Sequence, residues 1–298
     1  MKILNKVRLR IFESLSEDVG REDVTTQFLV PKKLMGDALI EAKEKGILCG
    51  GKIVREVFRL VDSKLKVVQK ISDGSVFSKG QKVFRISGKI TSILKGERVA
   101  LNFVSHLSGI ATVTNQYVQK VRGTQASIYD TRKTTPLWRE LEKYAVLIGG
   151  GKNHRFGLWD EVLVKDNHWI VLSSLRAKQS NLGNCFVGLS GFLTMTKKKK
   201  IPTEIEVDNL KQLLNLLDQN VLPDRILLDN FSVSELKKAV KIVRKRKKRI
   251  SLEASGGITL KNVRPIAKTG IDRISIGALT HSAPSVDFSL TVSKVTNA

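Results

Sequence analysis

Two cysteines in 298 residues, Cys49 and Cys185, are too few and too far apart for a disulfide framework. Neither belongs to a metal-binding pair, so a thiolate metal site has no support, and a reducing cytoplasm fits such a chain. No run of about 18 apolar residues occurs, so nothing is expected to span a membrane. The start, MKILNKVRLRIFESLSEDVG, is charged but lacks a sustained apolar segment and a small-residue cleavage site, and a signal peptide is not expected. No GxGxxG follows an early strand, which leaves a dinucleotide-binding fold poorly supported. Acidic residues are also scarce: 28 Asp and Glu stand against 52 Lys and Arg, for a formal charge of +24.

Much of that charge is clustered, as in Lys197–Lys200 and the run RKRKKR at Arg244–Arg249. No aromatic residue interleaves with the second run, so it offers no base-stacking platform. It closes a helical pattern, SVSELKKAVKIVRKRKKR, where cations complement the helix dipole. A dedicated nucleic-acid partner is therefore not expected, and the remaining charge favours small anionic substrates.

What is present is patterned. Residues 1–16 carry Leu4, Val7, Ile11 and Leu15 on one helical face. Residues 36–93 hold short extended runs punctuated by glycine, with turns at Asp73-Gly74 and Lys79-Gly80, which predicts a mainly β substructure. A long helix follows, with Val99, Phe103, Leu107 and Ile110 at helical spacing. After Gly123 extended runs end abruptly in polar residues: SIYD-TRK, EVLV-KDNH, TEIEV-DN, RILL-DN, ISLEA-SGG and RISI-GA. Helical segments separate them. This is the rhythm of βα units, and polar groups gathered after each strand fit the rim of a β/α barrel, with an open doubly wound sheet as the alternative.

The richest stretch runs from Asp130 to His168, where Arg132, Lys133, His154, Arg155, Lys165 and His168 lie beside extended runs. Arginine offers a fork matched to a carboxylate, and lysine a point charge for a carboxylate or phosphate. Together they suit a substrate with several anionic groups. Fourteen residues separate His154 from His168, which is no metal-ligand spacing, so a zinc site is not expected. Glu206 and Asp229 end the next two units and could hold hydrated Mg²⁺ or accept ribose hydroxyls. Glu204, two residues earlier, shares a strand face with Glu206, and the pattern does not choose between them. Small residues at Ser255–Gly257 and Ile276–Ala278 expose backbone N–H groups of the kind that hold phosphate, and His281 lies just beyond.

These segments resemble the nicotinate-nucleotide pyrophosphorylase, or quinolinate phosphoribosyltransferase, family. The resemblance covers nearly the whole chain through EDVGREDVTT, GERVALNFVSHLSGIAT, DTRKTTP, LEKYAV, GGGKNHRFGL, VLVKDNH, EIEVDNL, ILLDNFS, SLEASGGI and DRISIGALTHS, in the family's order. It implies an α/β fold: an N-terminal α/β sandwich domain at 1–112, completed by 283–298, and an open β/α barrel of the phosphoribosyltransferase type at 113–282. It implies transfer of a ribosyl group from 5-phosphoribosyl 1-pyrophosphate to quinolinate, with loss of CO₂, using Mg²⁺. A related enzyme acting on nicotinate is the alternative.

Residue by residue, the resemblance places quinolinate against Arg132, His154, Arg155 and Lys165, joined by Arg98 from the partner subunit of a homodimer. Lys133, Glu206 and Asp229 take the catalytic roles. Lys133 spans the two substrate regions, while Glu206 and Asp229 serve the ribose and Mg²⁺, in part through substrate phosphates. Ser255, Gly256, Gly277 and His281 match the 5′-phosphate region. Two departures stand out: Leu137-Trp138 replaces the usual Gly-Leu, and Asn184–Lys200 lacks the usual Ala/Arg-rich helix and Pro-containing approach to the next strand.

Overall fold

The computed structural model describes residues 5–177, 189–246 and 250–296. Its first part runs α1 (Asn5–Val19), α2 (Val24–Leu29), β1 (Met35–Ala42), β2 (Gly46–Ile47), α3 (Gly51–Val61), β3 (Lys66–Gln69), β4 (Val76–Phe77), β5 (Lys82–Lys89) and α4 (Ile90–Val121). Next come β6 (Ser127–Tyr129), α5 (Arg139–Ile148), β7 (Val162–Val164), α6 (Asp166–Ala177), α7 (Leu189–Lys198), β8 (Thr203–Val207) and α8 (Leu210–Leu217). The chain ends with β9 (Arg225–Asp229), α9 (Val233–Lys245), β10 (Ser251–Ser255), α10 (Val263–Ala267), β11 (Arg273–Ser275), α11 (Ala278–His281) and β12 (Phe288–Thr296). Two compact units result: Met1–Asn115 with Thr134–Gly150 and Ala278–Ala298, and Gln116–Lys133 with Gly151–Gly277.

In the first unit β12, β1, β5 and β3 form an antiparallel sheet in that order, and β2 pairs with β4. Alternation sets its buried face: Ala38, Ile40 and Ala42 on β1 are fully buried. Helix α1 buries Val7, Ile11 and Leu15, the stripe its spacing predicts, while Leu4 lies outside the described residues. Asp23 caps α2 by accepting a hydrogen bond from the Thr26 N–H at 3.0 Å. On α4, Val99, Phe103, Leu107 and Ile110 are buried at the expected spacing.

The Leu137-Trp138 departure has a structural reading within this unit. Leu137 sits at φ 68°, the left-handed region that a glycine occupies without steric cost. Trp138 then stacks on Phe103 at 4.8 Å and meets the His106 ring edge-on at 5.3 Å. His106 Nε2 in turn lies 2.9 Å from the fully buried Glu142, which also accepts the Thr135 N–H at 3.1 Å. The tryptophan thus anchors a turn whose leucine is strained. Leu137 is largely exposed, so glycine there loses little burial. Leu137→Gly is expected to raise stability by about 1 kcal/mol, the left-handed penalty less glycine's extra chain entropy, as measured by urea denaturation. A loss of stability would show that the turn is unstrained.

The second unit holds six parallel strands in the order β6-β11-β10-β9-β8-β7. The first and last strands of the series, β6 and β11, are neighbours, which is the signature of a sheet wound in one direction around a barrel. A doubly wound sheet would reverse its order part-way. Among the described residues the barrel stays open between β6 and β7, and a parallel bridge from Lys152 to Tyr129 extends the β6 side. Outward residues such as Ile205, Val207, Ile226, Leu228, Leu252 and Ile274 are fully buried. Helix α9 begins with a Ser232–Glu235 capping box and ends by directing Arg244 to Asp272 at 2.7 Å; Arg246, just beyond it, reaches Asp218 at 2.8 Å. Those two arginines are therefore structural in part, and residues 247–249 of the basic run lie outside the described residues. So do Cys185 and residues 184–188 of the divergent segment, the rest of which is mostly the helix α7.

Candidate active site

Strand parity decides which polar residues meet. On β8, Glu204 and Glu206 share one face and Ile205 and Val207 the other. The parallel register then sets Glu206 beside Leu227 and Glu204 beside Arg225, and it sets Asp229 beside Ser255. Glu206, Asp229 and Ser255 thus lie at or next to the C-terminal ends of three successive strands. Asn230 follows Asp229 at φ 54° and donates to its carboxylate at 2.6 Å. Gly256 has φ 91°, and a Cβ there would lie 2.1 Å from Asn230 Oδ1, so glycine is demanded by conformation and by space together.

Lys165, just after β7, reaches Glu206 at 2.9 Å. The Lys165 N–H also donates to His168 Nδ1 at 3.0 Å, which gives His168 a local role at the start of α6. Burial raises the Glu206 carboxyl above its usual value; Lys165 works against this rise, and the charges of Asp229 and Asp166 add to it. Glu206, Asp208 and Asp229 can each present an oxygen within 4.8 Å of the others. Three carboxylates, two of them open to solvent to some degree, match a hard cation that keeps some of its water and phosphate ligands. Of the two glutamates, Glu206 is the one grouped with Asp208 and Asp229.

Glu204 belongs elsewhere. It is fully buried, as is Glu253 on β10, and His154 Nε2 lies 3.1 Å from the first and 3.3 Å from the second. Arg225 pairs with Glu161 and lies 3.6 Å from Glu204, while Arg273 lies 2.6 Å from Glu253. His154, Glu161 and Glu204 have metal-ligand proximity, but the arginines already supply the positive charge these carboxylates need. A metal fits this second group poorly.

Burial opposes a charge on His154, yet the hydrogen bonds and charges of Glu204 and Glu253 outweigh it and raise the imidazole from 6.5 to about 9. Its Nδ1 lies 2.8 Å from the Arg155 amide nitrogen and 3.8 Å from Glu161. The first contact needs a bare nitrogen and describes the ring above its pKa; the second serves the protonated ring. Because the folded pKa is raised, its stabilising contribution is complete below about pH 6.5 and is lost as pH rises through about 9. The urea midpoint is expected to fall across that window, and His154→Gln should flatten the fall. A wild-type midpoint that rises from pH 7 to 9 would contradict the assignment.

Arg155 is buried, with its guanidinium donating to the Glu161 carbonyl at 3.1 Å. Burial and the nearby Arg132 cation lower its pKa. A bound anion would relieve both costs to the Arg155 charge. The His154 N–H donates to the buried Asp130 at 2.8 Å, which ties this segment to the end of β6. Lys133 is exposed, its N–H bonded to Thr131.

The second unit therefore contains Arg132, Lys133, His154, Arg155, Lys165, Glu206, Asp229, Ser255, Gly256 and Gly277. Arg98, exposed on α4, and His281, exposed at the end of α11, belong to the first unit. Sequence reasoning passes over Asp208, although it follows the same strand as Glu206. It also passes over Glu161, just before β7, and over Arg225, Glu253 and Arg273, whose signal is their inward strand parity.

Against known proteins, the C-terminal-domain model of the quinolinate phosphoribosyl transferase family matches residues 110–291, and its N-terminal-domain model matches residues 23–108. The chain belongs to this family. It is an enzyme of the phosphoribosyltransferase class. It is 39% identical over 302 residues to the probable nicotinate-nucleotide pyrophosphorylase (carboxylating) of Methanocaldococcus jannaschii, covering 98% of this chain and 96% of that one. It is 40% identical over 276 residues to the nicotinate-nucleotide pyrophosphorylase (carboxylating) of Mycobacterium leprae, covering 90% of each. The solved structure of the nicotinate-nucleotide pyrophosphorylase from Francisella tularensis superposes with a TM-score of 0.85 at 36% identity, covering 99% of this chain and 98% of that one.

Proposed function

We propose that this quinolinate phosphoribosyl transferase family member converts quinolinate and 5-phosphoribosyl 1-pyrophosphate into nicotinate mononucleotide, CO₂ and pyrophosphate, a step of NAD biosynthesis carried out in the cytoplasm. The observation that carries the reading is the buried Arg155 guanidinium, its charge disfavoured by burial and by the nearby Arg132, in the same unit as Lys165 and the acidic group at Glu206. A pyridine dicarboxylate supplies the anions that the first set needs. The second set suits a ribosyl donor with its phosphates.

In this reading Arg132, His154, Arg155 and Lys165 orient the two carboxylates, Lys133 spans both substrates, and Ser255, Gly256, Gly277 and His281 receive the 5′-phosphate. The pyridine nitrogen attacks the anomeric carbon; its bond to the pyrophosphate oxygen breaks, and that electron pair leaves with pyrophosphate. Glu206 and Asp229, with Asp208 beside them, would hold Mg²⁺, which would offset the leaving charge. Glu206 and Asp229 also accept hydrogen bonds from the ribose hydroxyls. The ring nitrogen is now cationic. Loss of the 2-carboxylate as CO₂ leaves an electron pair on the adjacent carbon, which that cation stabilises until a solvent proton arrives. The chain's contribution is to hold the acid in register and to keep its cations in a water-poor setting.

The active species is a homodimer in which Arg98 of each subunit completes the other's quinolinate site. Its support is an exposed arginine on the helix segment GERVALNFVSHLSGIAT, which matches the family pattern. Nicotinate is the rival acceptor, but it has one carboxylate and yields no CO₂. Supplying each acid with the ribosyl donor and Mg²⁺ while following mononucleotide and CO₂ separates the two. CO₂-free turnover of nicotinate with quinolinate inert would overturn the proposal.

A further inference from the structure

The rim of the barrel unit carries a polar side chain that the reaction above does not use. Asn230 stands between the carboxylate that ends β9 and the turn that follows β10, and it is held to both. Its side-chain amide donates to Asp229 Oδ2 at 2.6 Å. A carboxylate can only accept, so the amide nitrogen faces Asp229 and the amide oxygen faces away from it. That oxygen lies against Gly256, where a Cβ would stand 2.1 Å from Asn230 Oδ1 and 2.6 Å from its Cγ. The Asn230 N–H also donates to the Ser255 carbonyl at 2.9 Å. The far side of the turn is fixed independently, since Asn262 donates to the Gly257 carbonyl at 2.9 Å and accepts the Thr259 N–H at 2.7 Å. Asn230 is exposed and sits at φ 54°, where glycine is the easier residue, so neither burial nor backbone comfort selects its amide.

We infer that Asn230 is a positioning residue for the ribosyl donor: it fixes the Asp229 carboxylate against the Ser255–Gly256 turn, and so sets the spacing between the group that takes ribose hydroxyls and the group that takes the 5′-phosphate. This rests on the site reading above. The hydroxyls and the phosphate of a ribose 5-phosphate are joined through one small ring, so a protein that holds both must keep its two contacts at one separation. Parallel pairing sets Asp229 beside Ser255 along the backbone, but it leaves the carboxylate free to turn about its own side-chain bonds. The Asn230 amide removes that freedom before the donor arrives, which lowers the ordering cost of binding. The same contact ties the asparagine to the glycine, because the amide fills the space that a side chain at Gly256 would need.

Asn230→Gly tests this without backbone strain, because glycine adopts the left-handed conformation freely. With quinolinate and Mg²⁺ saturating, the variant should raise the ribosyl-donor KM about 10-fold, the low end for a hydrogen bond to a charged group, while the quinolinate KM stays within about twofold. Calorimetry with the ribosyl donor and Mg²⁺ should show the same loss of affinity without turnover. Asn230→Asp keeps the shape but sets a second carboxylate against Asp229 in place of the donor, and should bind the ribosyl donor no better than Asn230→Gly. Wild-type affinity in either variant overturns the inference. So does an equal rise in both KM values with a lowered urea midpoint, which is the result of a purely structural role. If Asn230→Gly does not fold, Asn230→Asp is read the same way. Calorimetry on the wild type separates the inference from the reading beneath it: no binding of the ribosyl donor sinks both, whereas binding that Asn230→Gly leaves unchanged sinks the inference alone.

Discussion

Replacing Lys165 with alanine is expected to lower kcat/KM for quinolinate by about 10²–10³, the usual cost of deleting one charged donor from a preorganised site, and to move the acid limb of the pH profile upward. Two effects combine. The first is loss of a cation beside the acceptor's carboxylate. The second acts through Glu206, whose carboxyl is already raised by burial and by the negative charges of Asp229 and Asp166. Lys165, 2.9 Å away, is what opposes that rise. Without it Glu206 holds its proton to higher pH, so the acidic group loses charge where the ribosyl donor needs it. A profile whose acid limb stays in place while kcat/KM falls would show that Lys165 acts on quinolinate alone. Lys165→Arg should keep the limb near its wild-type position, because charge rather than shape sets it.

The barrel is legible in the sequence because each strand announces its own end. TEIEV-DN, RILL-DN and ISLEA-SGG correspond closely to β8, β9 and β10, and the polar residue that breaks each run stands at the rim. Such signals are local. The helical stripe of Val99, Phe103, Leu107 and Ile110 is equally local, and the helix around it extends back to Ile90. The choice between Glu204 and Glu206 is not local, since both share a face and only the neighbouring strands tell them apart. Register puts Arg225 next to Glu204 and an apolar Leu227 next to Glu206, leaving the latter to Lys165. The buried charge layer stays hidden for the same reason: Glu253 and Arg273 are 20 residues apart and meet only through parallel pairing. Likewise Leu137 looks like a mere departure from a Gly-Leu pattern until its backbone is seen at φ 68°. Alternation within a strand can be read from one sequence, but partners across strands depend on register, which several distant segments set jointly.

Arg98→Ala and Lys165→Ala, each nearly inactive alone, are expected to restore activity when mixed under conditions that exchange subunits. The argument is one of symmetry. In a two-fold dimer whose sites each take Lys165 from one subunit and Arg98 from the other, a heterodimer holds one pocket with both residues intact and one pocket lacking both. Random exchange makes about half of the dimers heterodimers, so about a quarter of the wild-type activity should return. The number matters, because simple mutual stabilisation of two damaged subunits predicts no such ceiling. Native mass spectrometry on the same mixture confirms that exchange has occurred. Verified heterodimers as inactive as either parent, with both variants folded, would mean that Arg98 serves its own subunit or that the two pockets work only together. A homodimer carrying both substitutions on one chain, mixed with wild type, then decides: shared sites leave both heterodimer pockets with one defect each and suppress activity, while sites contained in one subunit leave one pocket untouched.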